Sequence, residues 1–269
     1  MRTALETSRP ASVVVGLSGG PDSLALAAAV AFEAPKLGIA ATAVTIDHRL
    51  QEGSADAADR AAAAARALGL DAVVVAVQVG AEGGPEASAR HARYAALSAA
   101  ARERGADAVL LGHTLDDQAE TVLLGLARGS GASSLMGMAP ERTDESGRWM
   151  RPLLGVRRAT TVAACAAEGL DPWHDPHNSE PRFSRVRVRE RVLPVLETEL
   201  GPGIAEALAR TAEQLREDAE AFAEMIDETI EDIVEHAEAG ISVSAAALAA
   251  NPAALRQAVK WPRLTGVAP

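Results

Sequence analysis

Val13-Val14-Val15-Gly16-Leu17-Ser18-Gly19-Gly20-Pro21-Asp22-Ser23 is the stretch on which the fold turns. Three consecutive valines make a short buried strand, and the Ala/Leu run at residues 24–32 makes a helix. Between them Gly19 and Gly20 let the backbone turn sharply and approach an anion. The helix start offers unpaired N–H groups and the positive end of a dipole. Ser18 and Ser23 add hydroxyl donors. Because the loop has no lysine, it is not the GxxxxGK[ST] phosphate loop.

The strand-then-helix alternation continues outward from this loop. Residues 39–46, 72–79 and 108–111 read as strands, and residues 55–68, 85–104 and 116–127 as helices. Strands that are apolar throughout, each followed by a helix, specify a parallel sheet covered on both faces. Right-handed crossovers then make the fold class α/β, a doubly wound parallel sheet. Ligands in such folds bind beyond the carboxyl ends of the strands, so the residues just after each strand carry the chemistry.

Those residues are distinctive. Asp47 and His48 follow the second strand, and His113, Asp116, Asp117 and Glu120 follow the fourth. Asp116 and Glu120, four apart, share a helix face. Acids there can hold ammonium groups or a metal, or accept a proton. Arg90 and Arg93 lie three apart on the 85–104 helix beside Tyr94, where they can reach phosphates. His48 and His113 line the cleft but are too far apart in sequence to mark a metal site by spacing.

Farther along, residues 128–147 read as a flexible Gly/Ser/Met loop and 156–168 as a helix. Pro172, Pro176 and Pro181 mark an irregular segment, and residues 183–200 and 204–239 are helical, broken at Gly201-Pro202-Gly203. The expected domains are a catalytic α/β domain, residues 1–200, and a helical C-terminal region, residues 201–269. The long second helix carries an apolar stripe from Leu208 to Ile233 at three-to-four spacing, which packs on its own domain or on a second copy in a homodimer. Residues 245–259 read as a helical pair, and Pro262 and Gly266 stop it.

Charge is unevenly spread. The chain of 269 residues has a net charge of −11, but twelve acids and two arginines between Glu206 and Glu238 account for −10 of it. Arg182, Arg185, Arg187, Arg189 and Arg191 form the opposite extreme. Alternating Arg185, Arg187 and Arg189 spread around a helix and suit a multi-contact grip on phosphates. With 48% hydrophobic and 23% charged residues, disorder is excluded. No apolar run approaches the ~20 residues of a spanning helix, and residues 1–10 lack a signal-peptide core. Cys165 is the one cysteine, which excludes an internal disulfide, a CxxC pair and a thiolate zinc cage. No membrane role and a cytoplasmic setting are expected.

Taken with the loop, several further stretches resemble one family. Ser18-Gly19-Gly20-Pro21-Asp22-Ser23 is similar to the pyrophosphate loop of the N-type ATP pyrophosphatases. Asp47-His48-Arg49-Leu50, the 84–94 stretch with Arg90, Arg93 and Tyr94, Gly112-His113-Thr114-Leu115-Asp116-Asp117-Gln118-Ala119-Glu120-Thr121 and Arg128-Gly129-Ser130-Gly131 extend the match. So do Arg151-Pro152-Leu153-Leu154, Asp175-Pro176-His177-Asn178 and the segment from Phe183 to Arg189. The combination, from about Val13 to Leu200, resembles the tRNA(Ile)-lysidine synthetases; that family more often has Asn where Val186 stands. The resemblance implies a reaction in which ATP adenylates the C2 oxygen of the wobble cytidine in a CAU-anticodon tRNA(Ile). The ε-amine of free L-lysine then displaces AMP. It also implies ATP and Mg²⁺ as cofactors, with Ser18, Gly19, Gly20, Pro21, Asp22, Ser23, Asp47, His48, Arg90 and His113 on the nucleotide and Asp22 on the metal. Asp22, Arg93, Asp117 and Glu120 would be catalytic. Asp116, Asp117, Glu120, Arg185, Arg187 and Arg189 would meet lysine or tRNA. A 2-thiocytidine synthetase, which needs paired cysteines, and GMP- or NAD-synthetase-like ligases share only parts of this pattern. A nucleotide binder without catalysis would gain little from the acids.

Overall fold

The computed structural model describes residues 1–49, 53–78, 85–129, 131–173, 180–237 and 240–252. Leu50, Gly84, Ser130, the Asp175–Asn178 motif and the tail from residue 253 lie outside the described residues. Helix α1 (Arg2–Ser8) precedes β1 (Ser12–Gly16), α2 (Pro21–Glu33), β2 (Ala40–Asp47), α3 (Ser54–Ala67), β3 (Asp71–Ala76), α4 (Pro85–Glu103), β4 (Ala108–Leu111) and α5 (Leu115–Arg128). There follow β5 (Glu141–Asp144), β6 (Gly147–Met150), α6 (Arg158–Ala167), α7 (Ser184–Arg187), α8 (Leu193–Glu199), α9 (Ile204–Ile233), β7 (Val234–Ala237), β8 (Gly240–Val243) and α10 (Ala245–Ala250).

The main sheet has six strands in the order β3-β2-β1-β4-β6-β5, parallel except for β5. Alternation along each strand divides its residues between two faces. Val13, Val15, Ala43, Leu110 and Met150 pack with residues of α1, α2, α3 and α6 in one core. Val14, Val44, Val109, Leu111 and Trp149 pack with Leu97, Ala100 and Ala101 of α4 in the other. With both faces covered, the strands need apolar residues at nearly every position, the signal that marked them in the sequence.

Two stretches depart from the expected elements. The 128–147 segment is no continuous loop: it holds β5 and the start of β6, a hairpin that extends the sheet. All four β5 residues are exposed, and only Trp149 and Met150 of β6 are buried, so the stretch carries little apolar periodicity. The helix expected to reach residue 239 ends at Ile233, and β7 pairs antiparallel with β8. The chain divides into two compact units, Met1–Ala212 and Glu213–Pro269, within α9. The second contains the end of α9, the β7–β8 hairpin and α10. Among the described residues no helix is long and apolar enough to cross a membrane.

Strands β1 and β4 lie side by side where the strand order reverses, the place at which open α/β sheets bind ligands. Gly112, just past β4, is held there by a close approach. A Cβ on it would sit 2.9 Å from the Asp22 carbonyl oxygen and 3.1 Å from Ser23 Cα. Its lack of a side chain lets the first turn of α2 rest against the end of β4, bringing the phosphate loop and the acids of α5 to one place.

Candidate active site

The loop after β1 is a preformed cradle. Gly19 has φ +81°, a conformation that favours glycine. Its carbonyl accepts from the Trp173 N–H at 2.9 Å, and a Cβ there would lie 3.3 Å from Ala61 Cβ. Ser23 Oγ accepts from the Ser18 N–H at 3.1 Å and donates to the Gly20 carbonyl at 3.0 Å, closing the turn. Gly20 caps α2 without a side chain and Pro21 follows, so the first-turn N–H groups have no capping partner within the loop. These features suit phosphate oxygens.

Beside the cradle is a network of opposite charges. Arg158, the first residue of α6, donates through Nε to Asp22 Oδ2 at 3.1 Å, through Nη2 to Asp117 Oδ1 at 2.7 Å and through Nη1 to Glu120 Oε1 at 3.4 Å. Thr161, three residues on, donates to Asp22 Oδ1. Glu120 is fully buried. It also accepts from Arg189 Nε at 2.6 Å and Nη2 at 3.0 Å, and Arg185 Nε lies 3.4 Å from it. Burial works against the Asp117 carboxylate, but Arg158 and the Thr114 N–H and hydroxyl outweigh it and lower its pKa. Burial also works against the Arg158 charge, and the three carboxylates overcome it to raise that pKa.

Asp117 additionally builds the helix that presents it, since its Oδ2 caps α5 together with Thr114. Asp116 serves the architecture, since its Oδ2 accepts from the Arg158 N–H at 2.7 Å and fixes the start of α6. Asp47 is likewise engaged. Its Oδ1 accepts from the Arg49 N–H at 3.0 Å and the Ser54 hydroxyl at 2.7 Å. Burial pushes its carboxyl up, and these bonds more than offset the effect.

A second cluster of the site has cations without acids. Arg90 donates to Tyr94 Oη at 3.3 Å, and the Arg90 and Arg93 guanidinium carbons stand 5.0 and 5.7 Å from its ring centroid. The ring stacks obliquely on Trp149, centroids 4.7 Å apart. Arg151, at the end of β6, is buried and donates to the Ala139 carbonyl at 2.9 Å. Among the described residues no carboxylate pairs with Arg90, Arg93 or Arg151. Burial lowers the pKa of both Arg93 and Arg151.

The two histidines adjoin this cluster. Burial, reinforced by Arg93, Arg151 and Arg90 against the opposing pull of Asp117, takes His113 down to about 3. Burial and Arg93 also lower His48. Both imidazoles are therefore neutral at pH 7. Among the described residues, their Nδ1 atoms, like Arg93 Nε and Arg151 Nε, are buried and meet no hydrogen-bond partner. Unpaired buried polar atoms at one sheet end mark a place shaped for a polar ligand.

A PP-loop domain matches residues 1–196. The tRNA(Ile)-lysidine synthase of Leifsonia xyli subsp. xyli is 59% identical over 251 residues, 93% of this chain and 74% of that protein. The tRNA(Ile)-lysidine synthase of Thermobifida fusca is 56% identical over 245 residues, 91% of this chain and 74% of that protein. The chain belongs to the tRNA(Ile)-lysidine synthase family. Among solved structures, the U34-tRNA thiolase NcsA of Methanococcus maripaludis superposes with a TM-score of 0.65 at 21% identity, over 77% of this chain and 72% of that one, a likeness of fold.

Within this family fold, the sequence-derived residues separate into groups. Ser18–Ser23 form the cradle. Asp22, Asp117, Glu120, Arg185 and Arg189 meet in the charge network, whereas Arg90 and Arg93 belong to the second cluster, which His48 and His113 adjoin while also feeling Asp47 and Asp117. Arg187 joins neither, because its Nη1 donates to the Pro181 and Arg182 carbonyls at 2.7 and 2.8 Å. Arg158, Thr161 and, as a site residue, Arg151 escaped the sequence reading. One signal for a partner such as Arg158 was available: three acids expected at one sheet end require counter-charges if buried.

Proposed function

We propose that this chain joins L-lysine to the wobble cytidine of tRNA(Ile) with a CAU anticodon, at the expense of ATP, in the cytoplasm. The cytidine C2 oxygen attacks the α-phosphorus and pyrophosphate leaves. The lysine ε-amine then attacks C2, AMP leaves with the former C2 oxygen, and the amine nitrogen sheds a proton. The observation that carries this reading is the sharing of one counter-ion, Arg158, between the phosphate-loop carboxylate Asp22 and the buried pair Asp117 and Glu120. A polyanionic nucleotide alone has no use for that pair; a second, cationic substrate has.

The first-turn N–H groups of α2 and the Ser18 hydroxyl face the charge that grows on leaving pyrophosphate. Neutral His48 and His113 line the nucleotide side without adding charge. Arg90, Arg93 and Arg151 steady phosphate oxygens of ATP or RNA, and Tyr94 gives them a rigid aromatic backing. Asp117 and Glu120 receive the lysine ammonium, and the carboxylate nearest the nitrogen takes its proton. Arg185, Arg187 and Arg189 belong to the segment that meets the RNA backbone.

Asp22 suits Mg²⁺ as one carboxylate ligand beside phosphate oxygens, the usual way this ion is held. Among the described residues no group of three or more His, Cys, Asp or Glu side chains could hold a metal, so the phosphates would complete the shell. When bound, the ion would neutralise charge on the transferring and leaving phosphates. Cys165 is no sulfur carrier in this scheme: it is buried, donates to the Pro21 carbonyl at 3.3 Å, and burial raises its pKa. The test is incorporation of radiolabelled lysine into tRNA(Ile) transcripts that differ only at the wobble base. Transfer to the CAU transcript alone is expected, and equal transfer to a GAU transcript would refute the reading.

A further inference from the structure

Of the three arginines around Glu120, Arg189 alone directs its side chain wholly onto the two carboxylates assigned to the amine. It forks onto Glu120 at 2.6 and 3.0 Å and lies 3.5 Å from Asp117 Oδ1. Arg158 is fixed by its backbone bond to Asp116 and by Asp22, and Arg185 also donates to Thr121 Oγ1 at 2.8 Å. The charges of Asp22, Asp117 and Glu120 are already balanced by these three guanidinium groups. An incoming ammonium would add a fourth cation unless one arginine leaves.

We infer that Arg189 closes the amine site in the free protein and that RNA docking on segment 182–191 opens it. The inference rests on the assignment of Asp117 and Glu120 to the lysine amine. Arg189 sits in the π-helical turn Val188–Val192, wound between α7 and α8. Such turns recur at functional sites, and rewinding one to the α form rotates its side chains about the axis. The adjoining Arg182, Arg187 and Arg191 are exposed, so a polyanion arriving on this segment competes with Glu120 for Arg189. Arg189 would trade a carboxylate for a phosphate, and the vacated carboxylate would take the ammonium. Lysine is thereby admitted chiefly after RNA, as a ligand whose competent state is scarce until a partner populates it.

Equilibrium dialysis of radiolabelled L-lysine against the full chain tests this, with and without saturating CAU-anticodon tRNA(Ile) transcript. The unaltered chain should bind lysine about tenfold more tightly with the transcript than without it. Arg189→Gln should bind lysine without RNA about as tightly as the unaltered chain does with it, and lose the RNA dependence. Arg189→Lys keeps the charge but not the fork, and should tighten RNA-free binding about threefold, which decides the matter should the Gln variant fail to fold. A residue of merely structural importance would instead weaken lysine binding when replaced. Lysine affinity indifferent to RNA in the unaltered chain, or unchanged or weaker RNA-free binding in folded variants, would overturn the inference. Lysine transfer by the unaltered chain, scored in parallel, separates the two failures. Transfer with RNA-indifferent binding refutes the gate alone, whereas absence of transfer refutes the gate together with the assignment beneath it.

Discussion

Arg158 and Arg93 are both half-buried at the carboxyl end of the same sheet, and their surroundings are opposite. Three carboxylates contact Arg158, and they raise its pKa. Arg93 has an aromatic ring, two other arginines and two neutral imidazoles nearby, and its withdrawal from water lowers its pKa. The first arrangement is internally balanced and holds the fold together; a ligand entering it must exchange one charge for another. Among the described residues the second has no balancing carboxylate, which in the proposed function leaves it to take an anion. A reaction that brings together polyphosphate, RNA and a cationic amine needs both kinds of pocket, and the chain keeps them on neighbouring strand ends.

Removing an acid from the balanced region should have the largest effect. Asp22→Ala and Asp117→Ala are each expected to abolish AMP formation, a loss of at least about 10³-fold, with the circular-dichroism spectrum retained. Normal turnover in either variant would remove that residue from the site.

The next comparison is between the arginines themselves. Arg158→Met leaves three carboxylates with two arginines to balance them and Asp22 without its cation, and should cost on the order of 3 kcal/mol in urea unfolding. Arg93→Gln should leave stability unchanged or raise it slightly, because it removes an uncompensated cation, while the KM for ATP or RNA rises. Equal losses of stability in the two variants would erase the distinction.

A smaller effect is expected from pH. His113 titrates near 3 in the fold against an ordinary value of about 6.5, so the unfolded chain binds a proton that the native chain refuses. Stability from this group is therefore present above about pH 6.5 and is lost as pH falls, by about 1.5–2 kcal/mol at pH 5. His48 is shifted in the same direction. His113→Gln should flatten the stability profile between pH 6.5 and 5, and an unchanged slope would show that the imidazole is not kept neutral.

The difference between the regions also explains what could be read in advance. The strands of the sheet centre were legible because burial on two faces demands unbroken runs such as Val13-Val14-Val15, and the phosphate loop because few residues can stand in for Gly19 at φ +81°. The β5–β6 hairpin was not, since Glu141-Arg142-Thr143-Asp144 is solvated and two apolar residues make no period. The acids on α5 stood out by their position after a strand. Their partner Arg158 did not, because nothing local distinguishes it from Arg157: only the packing of α6 on α2, which brings Arg158 beside the acids of α5, selects it. Arg187 and Arg189 looked alike for the same reason, yet one bonds to carbonyls of its own segment and the other to Glu120.

The most direct test of this division of labour is a single-turnover experiment on Glu120→Gln with ATP, CAU-anticodon tRNA(Ile) and labelled lysine, scoring adenylated RNA and lysine transfer separately. The expected result is that transfer collapses while adenylated RNA still forms and accumulates, because Glu120 serves the amine and the arginine cluster serves the phosphates. Adenylation and transfer falling by the same factor would contradict it and would make the two regions a single catalytic unit.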